Sequence, residues 1–209
     1  DVRLCTDFGG QIGALQQQTM SQCPSASIAG YRFENPAHLR QALTHRSFSS
    51  THNERLEFLG DAVLNCVIAA ELFRTYPAMP EGDLSRVRAS LVNGQTLCML
   101  AGELCIGAQL SLGEGELRSG GSQRPSILAN AVEALIGAVF LDGGFSAAQK
   151  FVLKIFERSL KTLDPRIAGK DPKTLLQELL QARHLSLPRY AVIATARSEE
   201  HTSELQSRL

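Results

Sequence analysis

Between Ile127 and Phe140 the chain reads ILANAVEALIGAVF, fourteen residues with a single charge, Glu133. A helix apolar on nearly every side is a buried helix. Ser126 is its expected N-cap and Gly143-Gly144 its expected stop. A carboxylate inside such a helix loses several kcal/mol of hydration unless it finds a partner or takes up a proton. The fold is therefore obliged to bring something to Glu133. Asn130 stands one turn earlier on the same side.

A second segment makes a matching demand. NERLEFLGDAVL, from Asn53 to Leu64, opens a long apolar helix that runs to Pro77. It places Glu54, Glu57 and Asp61 at i, i+3 and i+7, on one side, among Leu56, Phe58, Leu59, Val63 and Leu64. If the two helices pack together, Glu57, Asp61, Asn130 and Glu133 gather into one cluster of oxygens. Clustered carboxylates repel unless a cation neutralises them, and hard divalent ions prefer oxygen ligands. The pattern points to Mg²⁺, with Mn²⁺ as a substitute. Taken singly, each acid is more often a solvated or salt-bridged group, with Arg55 or Arg86 as a ready partner.

The rest of the chain from Ile28 to Leu163 also reads as helix. HLRQALTH carries one apolar stripe, and EGDLSRVRASLVNGQTLCMLAGEL supplies one or two helices with a break near Asn93-Gly94. LSLGEGELRSGGSQRP reads as a loop, and FSAAQKFVLKIFERSLKTL as a last amphipathic helix. No alternating run suggests a sheet, so this region is expected to be all-α. DPRIAGKDPKT, with two prolines and a glycine among charges, then opens on a linker over 164–170. Beyond it a short helix from Leu175 to Ala182 leads to the β-prone run RYAVIATA, the opening of a small α+β module.

Composition narrows the function classes. The chain has 209 residues, 44% hydrophobic and 20% charged, with formal net charge zero. Global charge thus announces no nucleic-acid partner, and any basic surface must be local. Arg86, Arg88, Arg118 and Arg124 are the candidate phosphate contacts. The five cysteines include no CxxC pair, which argues against a disulfide framework or zinc site and for a reducing cytoplasm. No apolar run reaches the ~18 residues of a membrane span. Residues 1–20 are expected to form a disordered extension, with Met20 a candidate start and no secretory signal ahead of it. His45 and His52 are candidate general bases, although His45 more readily packs or hydrogen-bonds.

These stretches carry a resemblance. ALTHRSF…HNERLEFLGDAVL, PEGDLSRVRASLVNG and SILANAVEALIGAVFLDGG resemble the three signature blocks of ribonuclease III, the endonucleases of double-stranded RNA. The likeness spans residues 21–163, the expected catalytic domain. DPKTLLQELLQARHLSLPRY resembles the start of the family's double-stranded-RNA-binding domain, here the partial module 171–197. The resemblance implies a homodimer with two sites along one valley and no small-molecule cofactor beyond the metal. It implies products with two-nucleotide 3′ overhangs and 5′-phosphate and 3′-hydroxyl ends. It makes Glu57, Asp61 and Glu133 metal ligands, with Asp61 and Glu133 the catalytic pair, and gives Glu54 and Glu81 supporting roles. Precursors of ribosomal RNA, messenger RNA and tRNA are the implied substrates.

The chain departs from the pattern at one ligand. Where SILAD is usual it has SILAN, so Asn130 brings an amide oxygen and no charge. RSEEHTSELQS resembles a translated sequencing adapter, and residues 198–209 are expected not to be native. Two other readings remain: a non-catalytic relative that binds structured RNA as a dimer, and an all-α nucleotide pyrophosphohydrolase.

Overall fold

The computed structural model describes residues 27–165, 168 and 172–186. The expected extension at 1–20, the run RYAVIATA and the tail at 198–209 lie outside the described residues. The chain divides into two units, Asp1–Gly169 and Lys170–Leu209, a boundary that falls inside the stretch read as a linker.

The first unit is built on two helices, α2 (Glu54–Thr75) and α6 (Pro125–Ile155). They make the most extensive contact in the protein. From α2, Leu64, Val67, Ile68 and Leu72 are buried, and from α6 Ala131, Val132, Leu135, Ile136 and Val139 are buried completely. Each such Val, Leu or Ile side chain contributes about 1.5–3 kcal/mol relative to leaving it in water. The backbones come unusually close where Gly60 of α2 crosses Gly137 of α6. A Cβ on Gly60 would strike the Glu133 carbonyl, and one on Gly137 the Leu56 carbonyl.

Other helices frame this pair. α1 (Pro36–Ala42) and α4 (Gly94–Glu103) pack on α6, and α3 (Glu81–Leu91) packs on α2. Asn35 caps α1 by accepting from the Ala37 amide at 3.0 Å, and Asn93 caps α4 by accepting from Thr96 at 2.8 Å. The break read near Asn93-Gly94 is this cap.

Several expectations need correcting. Ser126 is not the cap of α6. Arg124 holds that position, and Pro125 is the first helical residue, where its missing N–H costs nothing. The helix does break at Gly144, whose φ of +72° and ψ of −175° only glycine adopts at ease. A second limb continues to Ile155, and α7 (Glu157–Lys161) follows it. The segment read as pure loop contains α5 (Glu114–Arg118) and a 3-10 turn at Gly121–Gln123, both too short to show a helical period. A small hairpin, β1 (Ser27–Ile28) with β2 (Tyr31–Arg32), precedes α1, and its two-residue strands are too short to show alternation. The class remains all-α.

At 31 residues, α6 is also long and apolar enough by composition to cross a membrane, contrary to the sequence reading. Its apolar window is 61% buried inside the protein, because it is the core helix. Asp142 ties its first limb to the hairpin and the start of α1. It accepts from the Tyr31 hydroxyl at 2.8 Å and from the backbone amides of Glu34 and Asn35 at 2.9 and 2.8 Å. Burial pushes this carboxyl up, but those hydrogen bonds outweigh it and hold it below its usual range.

In the second unit, α8 (Pro172–Ala182) is an amphipathic helix that begins three residues before the expected Leu175. Leu176 and Leu179 on it are exposed.

Candidate metal and RNA site

The crossing at Gly60 and Gly137 decides which side chains meet. Glu57 and Asp61 flank Gly60 on α2, and Glu133 lies one turn before Gly137 on α6. Glu133 is half-buried, and its carboxyl is pushed up to about 7. Burial is the largest cause, followed by the negative charges of Asp61 and then Glu57. Glu57 is raised by burial and by Glu54, with a hydrogen bond from the Asn130 amide and the nearby Arg46 pulling the other way. Thus Glu57, Asp61, Asn130 and Glu133 stand together.

The grouping is looser than the sequence reading proposed. Among the described residues, no three His, Cys, Asp or Glu side chains are drawn close enough to hold a metal ion. Asp61 Oδ1 accepts from Asn65 Nδ2 at 2.8 Å. The chemistry of the donor set nevertheless fits a hard divalent cation. It offers three carboxylates and an amide oxygen on two packed helices, with one carboxyl pushed up by burial and by its acidic neighbours.

The helix carrying the acids is also less buried than its sequence suggests. Glu54 and Asp61 are exposed, and only Glu57 is partly covered. Phe58, read as packed, is 81% exposed. It borders a hollow lined also by Gln41, His52, Arg55, Leu59 and Leu141.

A polar cleft of about 410 Å³ runs beside the acids, lined among others by His45, Arg46, Glu54, Glu57, Arg124 and Asn130. Its wall is set by the THRS turn after α1. Thr44 bridges Ser111, and the Ser47 hydroxyl accepts from the Gly113 amide at 2.9 Å. His45 Nδ1 lies 2.9 Å from that hydroxyl, so His45 serves the turn. His52 lies apart, 3.8 Å from Glu54. Glu54 itself pairs with Arg46 at 3.2 Å.

Of the four candidate phosphate contacts, only Arg124 reaches this cleft. Glu116 holds it at 2.5 Å, and Ser119 accepts from it at 3.2 Å. Arg118 pairs with Glu114 at 3.0 Å on the open surface. Arg86 pairs with Asp83 on α3, and Arg88 is half-buried on the same helix. Glu81 is exposed at the start of α3 and accepts from the Ser85 hydroxyl at 2.7 Å, outside the cleft. Asn65 and Glu116 were missed by the sequence reading. An Asn one turn after Asp61 was the available signal for the first; nothing local marks the second.

Comparisons with known proteins agree with this architecture. A family model described as Ribonuclease-III-like matches residues 35–159. Ribonuclease 3 of Thiobacillus denitrificans is 56% identical over 166 residues, covering 79% of this chain and 74% of that protein. Ribonuclease 3 of Ralstonia nicotianae is 58% identical over 166 residues, covering 79% of this chain and 65% of that protein. The chain thus spans about two thirds of the length of such relatives. Among solved structures, the nuclease domain of ribonuclease III from Campylobacter jejuni is similar at TM-score 0.62 and 42% identity. That match covers 64% of this chain and 94% of the other, in a structure concerned with flexibility in a region involved in dimer formation. By sequence and by fold, the chain belongs to the ribonuclease III family.

Proposed function

We propose that this protein is a divalent-metal-dependent endonuclease of double-stranded RNA that works as a homodimer. The observation that carries the reading is the meeting of Glu57 and Asp61 from α2 with Glu133 from α6, which leaves Glu133 pushed up to about 7. Glu57, Asp61 and Glu133, with the Asn130 amide oxygen, would hold Mg²⁺ or Mn²⁺. A bound ion of this kind supplies the positive charge that activates water and steadies the phosphate and its leaving oxygen. The protein's part is to hold the ligands and the RNA. Glu133 must give up its proton to hold the ion, so metal binding should release protons and weaken as pH falls.

Duplex RNA is recognised by shape, through phosphates and 2′-hydroxyls. Arg124, held by Glu116 at the cleft, is the contact nearest the acids. Arg86, Arg88 and Arg118 lie further out and would add phosphate contacts weakened by salt. Glu54 and Glu81 are given supporting roles, Glu54 through its bond to Arg46. The exposed Phe58 beside its own hollow suits an isologous contact, in which each copy offers both parts. Residues 171–197 would add the opening of a double-stranded-RNA-binding module. The substrates are read as precursors of ribosomal, messenger and transfer RNA, cut to leave 5′-phosphates and two-nucleotide 3′ overhangs. The cytoplasm is the proposed location, in keeping with the free thiols of Cys66, Cys98 and Cys105.

One observation favours a second reading. Asn130 removes a charge from the ligand set, as a dimer that binds duplex RNA without cutting it would tolerate. A single gel separates the two: long duplex RNA with and without Mg²⁺, for the native protein and Glu133→Ala. Mg²⁺-dependent cutting lost in the variant supports the nuclease; intact RNA with retained binding supports the second reading.

A further inference from the structure

We propose that Asn65 is a positioning residue for Asp61, fixing one oxygen of that carboxylate so that the other stays available to a divalent cation. Asn65 lies one turn beyond Asp61 on α2 and is half-buried. Its Nδ2 donates twice to the same residue, to Asp61 Oδ1 at 2.8 Å and to the Asp61 carbonyl at 3.0 Å. The first is a charge-assisted bond, the stronger kind. Together they pin the Asp61 side chain by one oxygen and leave Oδ2 without a protein hydrogen bond among the described residues.

Helix stability does not account for this residue. Asparagine is a poor helix former, and its side chain competes with the backbone for hydrogen bonds. In the middle of a 22-residue helix, alanine at position 65 would serve the helix better. What asparagine adds is its grip on Asp61.

The grip gains weight from Asn130. With that ligand neutral, only Glu57, Asp61 and Glu133 bring charge to the ion. Asp61 is exposed, and a free surface carboxylate would sample several rotamers. Groups that hydrogen-bond a metal's carboxylate ligands typically govern affinity by 10–100-fold. An exposed bond of this kind belongs at the lower end.

The inference rests on the metal reading given above, and thermal melting at increasing Mg²⁺ tests both without any cleavage assay. In chelator, Asn65→Ala should melt at or slightly above the native temperature. Its Mg²⁺ midpoint should rise about tenfold. Cys66→Ala, the exposed neighbour, should leave both values unchanged, and adding Asn65→Ala to Asp61→Ala should shift the midpoint no further. A lower melting temperature in chelator with an unmoved Mg²⁺ midpoint would mean that Asn65 is merely structural, and would overturn the proposal. A native protein whose melting ignores Mg²⁺ would sink the metal reading, and this inference with it.

Discussion

Gly60 and Glu133 are in contact backbone to backbone: any side chain on Gly60 would enter the space of the Glu133 carbonyl. That contact brings Glu57 and Asp61, which flank Gly60, up to the single charged residue of the ILANAVEALIGAVF stretch. One close approach therefore sets both the packing of the core and the make-up of the acidic site.

Gly60→Ala should consequently damage both. A backbone carbonyl cannot swing away as a flexible side chain can, so the two helices must separate. The expected loss is roughly 3 kcal/mol, a fall in Tm of about 8–12 °C. Calorimetry in chelator measures it, and the Mg²⁺-induced rise in Tm should shrink as well. A variant with native stability would mean that α2 and α6 do not cross at this point.

Glu133 gives the metal-free protein a pH dependence of definite sign. Its folded pKa of about 7 lies above the ordinary 4.5, so between those values the folded state holds a proton that the unfolded state releases. Its contribution is complete below about pH 4.5 and is lost as pH rises through about 7. Glu133→Gln should remove this slope. At pH 8 in chelator it should melt higher than the native protein, by about 1–2 kcal/mol once screening by its wet side is counted. At pH 4 the two should agree. A difference that stays constant across pH would contradict this origin.

Asn130→Asp should restore a charged ligand. The Mg²⁺ needed for half-maximal cleavage should fall several-fold, and the Mg²⁺ midpoint in thermal melting should fall with it. In chelator the same variant should melt lower, because a further carboxylate now crowds Glu57 and Glu133. Unchanged titrations would show that position 130 takes no part in holding the ion.

Phe58 tests the dimer. It is 81% exposed, so truncating it leaves the core untouched. Phe58→Ala should weaken self-association at least about 30-fold if the ring is an anchor in a partner's hollow. Sedimentation at micromolar concentration would then show monomer with native helicity. An unchanged dimer would place the contact elsewhere.

Much of this protein was legible without coordinates. Two long apolar stretches, one with a lone glutamate and one with three acids in helical register, read as helices whose packing together would gather those acids. Local chemistry at Pro77, Asn93 and Gly144 marked where helices stop, start or break. The short elements stayed hidden because α5 and the N-terminal hairpin contain less than two periods of any pattern. Phe58 misled for a different reason. Periodicity assigns a residue to a side of its own helix, but not the neighbour that side will have.

The linear order of residues by itself determined the all-α core, the helix that had to carry Glu133, and the acids available to meet it. Tertiary structure alone decided where the two helices cross, that Phe58 would face outward, and that Asn65 and Glu116 would hold Asp61 and Arg124. The physical reason is distance. Helix formation is settled by residues within a turn or two, whereas a crossing set by two glycines 77 positions apart depends on which backbones can touch.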